Sequence, residues 1–144
     1  MSNEQILTHQ FELGDEIGPL VIRASDVDVT NFCNLWGNEP PNRFTSIEVA
    51  KKAGLSEPIV PGIMSMALVA KLFNLCGGSQ IIDDLDVVFR AAVPHNSDLH
   101  ITATITDTRD ENGKNVLECD ILMTGPEGQR YVIGTAVISN KAKS

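Results

Sequence analysis

The chain has 144 residues, 42% of them hydrophobic and 21% charged, a balance that supports one folded core and excludes a disordered chain. A formal net charge of −8 argues against nucleic acid as a partner, because phosphates are repelled unless a strong basic patch opposes them. A small anionic ligand stays admissible, since a few local Arg or Lys residues can outweigh the global field.

Residues 1–10 read as an N-terminal arm without the basic and apolar regions of a signal peptide, residues 11–140 as one domain, and residues 141–144 as a tail. Leu20, Val21 and Ile22 make a short strand over 19–23. Ser25 then caps a helix, with Asp28 three residues on as in a capping box, and Val29, Phe32, Cys33 and Trp36 form one apolar face ending near Gly37. That face predicts Trp36 to be core. Residues 38–44 hold two consecutive prolines and cannot be regular. Thr45 or Ser46 caps a short helix over 47–53, with Glu48 placed to close a box and Gly54 at the stop.

The main helix runs from about Pro61 to Cys76 and stops at Gly77-Gly78. It is apolar almost all the way round, so it needs cover on most sides, but Pro61, Gly62, Ser65, Lys71 and Asn74 break the run too often for a membrane span. Strands follow over 86–93, over the alternating Leu99, Ile101, Ala103 and Ile105, over 115–124 and over 130–139. Asn112-Gly113 marks one tight hairpin and residues 125–128 a second turn, which forces antiparallel neighbours. Cys33, Cys76 and Cys119 stand far apart with no histidine beside them, implying free thiols in a reducing cytoplasm and no metal site.

The fold class is therefore α+β: a long apolar helix wrapped by a mostly antiparallel sheet. Such a sheet leaves one face and an edge bare, so the chain is expected to form a homodimer or a heterodimer.

Four segments in this order resemble the MaoC-like hotdog family of (R)-specific enoyl-CoA hydratases and 3-hydroxyacyl thioester dehydratases. They are Phe11-Glu12-Leu13-Gly14-Asp15, the run from Glu57 to Met64, the run from Val88 to Val93, and Gly134-Thr135-Ala136-Val137. The resemblance implies a hotdog fold and an acyl-thioester ligand, acyl-CoA or an acyl-carrier thioester, with no further cofactor. The family's catalytic signature is G-D-x-N-P-x-H, whose Asp and His form the acid–base pair. In this chain the segment runs Gly37-Asn38-Glu39-Pro40-Pro41-Asn42-Arg43, so Asn38 takes the aspartate position and Arg43 the histidine position. Counted backwards from Gly54, Phe44 takes it instead. On neither count is a histidine present.

Hydrating a 2-enoyl thioester needs a base for water, an acid for Cα and donors that polarise the carbonyl. An amide such as Asn38 and a guanidinium such as Arg43 orient groups but do not exchange protons. Glu39 is the one nearby carboxylate able to stand in as base, against the alternative of a solvated loop residue. Gly62 and Ile63, at the start of the long helix, match the family's contact to the thioester carbonyl; Gly62 could equally serve tight helix packing. Met64 is read both as core and as tunnel wall. Arg90 either pairs with Asp86 or grips a CoA phosphate, and Lys51 and Lys52 form a solvated face or touch phosphate. Three functions follow: a hydratase or dehydratase (a lyase) with an altered site, a non-catalytic subunit that binds acyl-CoA beside a catalytic hotdog chain, or an acyl-CoA thioesterase.

Overall fold

The computed structural model describes residues 11–76 and 80–140, so the predicted arm, the Gly77-Gly78 helix stop and the C-terminal tail lie outside the described residues. Chain order is β1 (Glu16–Ile22), α1 (Asp26–Trp36), α2 (Ile47–Lys52), α3 (Gly62–Cys76), β2 (Gln80–Phe89), β3 (Leu99–Glu111), β4 (Lys114–Thr124) and β5 (Arg130–Asn140). The strands make one antiparallel sheet in the order β1-β3-β4-β5-β2. Its three inner strands are the contiguous meander β3-β4-β5, while β1 and β2 form the two edges.

Local chemistry accounts for the boundaries. Ser25 Oγ accepts from the Asp28 amide and the Asp28 carboxylate accepts from the Ser25 amide, closing the predicted box at the head of α1. At α2 the cap is Ser46, which makes Val49 the third helical residue; Glu48 stands one position early and closes no box. Asn112 and Gly113 both take positive φ, 52° and 80°, as a two-residue hairpin between right-twisted strands requires. The strand predicted over 86–93 begins six residues earlier and ends at Phe89. Asp83 and Asp84 masked its start, yet acids are tolerated here because β2 is an edge strand and both side chains reach water.

The core lies between α3 and the inner sheet face. Leu99, Ile101, Ala103 and Ile105 of β3 are buried, as their alternation predicts, and meet Leu117, Cys119, Ile121 and Met123 of β4 and Val132, Ala136 and Ile138 of β5. From α3 come Met64, Leu68, Val69, Leu72 and Phe73. Phe73 and Leu72 are fully buried, each contributing roughly 1.5–3 kcal/mol of apolar transfer. The helix is covered on one side only: Ile63 is 50% exposed and Leu75 63%. Within one chain, then, the expected cover on most sides of α3 is not met. Among the described residues no helix is long and apolar enough to cross a membrane.

Candidate functional site

The start of α3 is held by an extended lead-in. The Val60 amide donates to the Val93 carbonyl at 2.8 Å, and Ile59 bridges Pro94. This ties residues 59–60 to the β2–β3 connection. The same connection reaches α1: His95 Nδ1 donates to the Asp26 carboxylate at 2.7 Å, and Asn96 both donates to that carboxylate and accepts from the Asp26 amide. These bonds hold the Asp26 carboxyl below its ordinary value of 3.8, the His95 contact first.

Between this connection and the first turn of α3 lies a groove of about 360 Å3, lined by Ile59, Val60, Gly62, Ser65, Phe89, Arg90, Ala91, Ala92 and Val93. The residue before the helix is Pro61, which has no side-chain acceptor. Among the described residues the amides of Gly62, Ile63 and Met64 find no acceptor either; the first helical bond comes from Ser65 to the Pro61 carbonyl. The helix therefore presents bare donors and the positive end of its dipole at the groove. A Cβ on Gly62 would stand 3.1 Å from Cζ of Phe89, so glycine is what lets that half-exposed ring lie against the helix start. Ser65 is buried and spends its hydroxyl on the Pro61 carbonyl, leaving no activated nucleophile.

Arg90 corrects one expectation. It is exposed at the groove, and among the described residues no carboxylate pairs with it, Asp86 included. The reason is distance: four residues along an extended chain put about 13 Å between the two backbones, and β2 ends at Phe89, so Arg90 falls in the connection beyond it.

Of the residues singled out from sequence, the groove gathers Gly62 and Arg90. Asn38, Glu39, Arg43 and Phe44 belong to the loop after α1 and do not line it, nor do Ile63, which points outward, and Met64, which is core. The loop has its own organiser, Asn42, a residue that no motif singles out. Its amide nitrogen donates to the Asn38 carbonyl at 2.8 Å and its oxygen accepts from the Phe44 amide at 2.9 Å. The Asn42 carbonyl also receives the Thr45 and Ser46 amides. One asparagine thus replaces the backbone bonds that Pro40 and Pro41 cannot make. Only the asparagine after a double proline hinted at it.

Phe44 is buried, with the Arg43 guanidinium carbon 4.7 Å from its ring centroid and the Trp36 ring centred 6.0 Å away. Trp36 itself is 46% exposed, contrary to its predicted place in the core. Val29 and Cys33 are the buried residues of α1; in its last turn Trp36 leans on Phe32 and Phe44 and leaves about half of its surface wet. Glu39 is exposed and Asn38 half-buried. Among the described residues no cluster of His, Cys, Asp and Glu has the arrangement to hold a metal ion.

No family model matches the sequence, and no curated protein is found similar to it. Solved structures are. The (R)-hydratase from A. caviae involved in PHA biosynthesis superposes with a TM-score of 0.80 at 20% identity, over 93% of this chain and 100% of its own. A MaoC-like dehydratase from Rhodospirillum rubrum gives 0.79 at 14% identity, over 96% and 98%. A chain of the ChsH1-ChsH2 complex from Mycobacterium tuberculosis gives 0.76 at 12% identity, over 90% and 98%. At these identities the likeness is one of fold: a five-stranded antiparallel sheet curled round a central helix, the hotdog fold. It is shared over nearly the whole chain with MaoC-like dehydratases and (R)-hydratases.

Proposed function

We propose that this chain is a MaoC-like hotdog protein that binds an acyl thioester, acyl-CoA, in the groove at the head of α3, and that it does so as the non-catalytic half of a hotdog pair. The observation that carries this reading is the composition of the groove. Bare amides at a helix N-terminus suit a thioester carbonyl, apolar walls suit an acyl chain, and Arg90 suits a CoA phosphate, yet no carboxylate or imidazole lines the groove. The loop that carries the family's acid–base pair offers Asn38 and Arg43, which position groups without exchanging protons. Pairing would use the free edge of β2, where Ile81 and Phe89 are 37% and 48% exposed, and the neighbouring Ile63 on α3. The neighbour from the ChsH1-ChsH2 structure is itself part of a complex, which supports a partner chain for this fold.

Two measurements on the purified chain test the reading. Calorimetric titration with butyryl-CoA should show binding that Arg90→Ala weakens about tenfold, the value of one charge-assisted contact. Absorbance of crotonyl-CoA should stay constant, because hydration of its conjugated double bond needs the missing acid and base. Turnover lost in Glu39→Ala would instead establish a hydratase with a relocated base, and release of free thiol a thioesterase. Absence of binding would overturn the proposal.

A further inference from the structure

The outer face of the sheet, turned away from α3, takes no part in the groove. Side chains alternate along a strand, so with Ile121, Met123, Val132 and Ala136 in the core, Asp120, Leu122, Ile133 and Thr135 point the other way. The register sorts them into rows across the strands. Val88 of β2 lies opposite Ile133 of β5, and Ile133 opposite Leu122 of β4, which makes an apolar row. On one side of it Asp86 and Asp120 flank Thr135, an acidic row; on the other side stands Arg130. These residues enclose a hollow of about 470 Å3, in which Val88 is 49% exposed. Among the described residues Asp86, Asp120 and Arg130 make no ion pair.

We propose that this hollow is a docking surface for a second copy of this chain, sheet against sheet, about a two-fold axis through the row of Val88, Ile133 and Leu122. The order acid, apolar, base is self-complementary under a two-fold rotation. Rotation sets the apolar row on itself and carries the acidic row of each copy over Arg130 of the other. A partner of a single sign would leave either the acids or the arginine unmatched. β2 contributes Asp86 and Val88 to this surface through its outer face and leaves its hydrogen-bonding edge free, so the surface joins two hotdog pairs back to back, or two single chains where no pair forms.

Sedimentation velocity on the full chain tests it, with melting temperature as the check on folding. Leu122→Lys should halve the mass of the wild-type particle while still melting in one cooperative transition, lowered only by the loss of association. Arg130→Glu sets acid against acid and Asp120→Arg base against base, so each alone should also give the half-mass particle. Mixed in equal amounts the two variants become complementary at both contacts and should recover the wild-type mass. A wild-type chain that sediments as a monomer overturns the proposal. So do variants that keep the wild-type mass, as association through the β2 edge alone would produce, or a mixture that stays at half mass.

Discussion

Asp26 and Cys119 are titratable side chains whose surroundings set their behaviour in opposite ways. The Asp26 carboxyl is held low by the hydrogen bond from His95 and then by Asn96. A carboxyl that is more acidic folded than unfolded stabilises the fold above its unfolded value, and that contribution fades as the pH falls through its folded value. Asp26→Asn is therefore expected to flatten the loss of stability below about pH 4, leaving the neutral limb shifted by a pH-independent amount; urea melts from pH 7 to pH 3 read this. Cys119 is pushed up to about 12, by burial first and then by the carboxylates of Asp120 and Glu118. At pH 8 its thiol is expected to be inert to a disulfide reagent in the folded chain, where half-buried Cys76 reacts, and all three cysteines are expected to react in denaturant. Sequence alone supplied the free thiols, because spacing and count suffice for that. The Asp26–His95 contact was out of its reach: the partners lie 69 residues apart and meet only after the β2–β3 connection has folded back on α1.

At the scale of elements, the features legible in the sequence are those whose cause is local. The capping box of Ser25 and Asp28 and the Asn112-Gly113 hairpin are written within four residues and form as read. The start of β2 was hidden because strand pairing overrides the low strand preference of Asp83 and Asp84. Trp36 was misplaced because periodicity shows which side of a helix is apolar but not where the cover stops. Within the loop after α1, Asn42 bridges both ends, so Asn42→Ala is expected to cost about 1–3 kcal/mol in denaturant melts by orphaning the Phe44 amide and the Asn38 carbonyl. Asn42→Asp keeps the acceptor and loses the donor, and should fall between the two.

For the whole molecule, the central helix and antiparallel sheet follow from hydrophobic patterning, and the solved structures share them. Of the residues that sequence marks as site candidates, Gly62 and Arg90 line the groove, while the loop residues Asn38, Glu39 and Arg43 stand apart from it within one chain. No pattern in a single sequence reports that separation, because it depends on how α1 and the loop sit on the finished sheet. The apolar surface left on α3 and β2 is the counterpart of the same limit: patterning marks which faces are apolar, not which of them the chain itself covers.

The strand order has a consequence for how the molecule assembles in time. β3, β4 and β5 neighbour one another in both sequence and sheet, so their pairing closes only short loops, whereas β1 must wait for β3, some eighty residues downstream, and β2 for β5. The meander can therefore nucleate before either edge docks. In native-state hydrogen exchange the amides of Leu117 and Cys119, on the middle strand, are expected to be the slowest and to report global opening. Those of β1 should exchange earlier, by detaching while the meander stays closed.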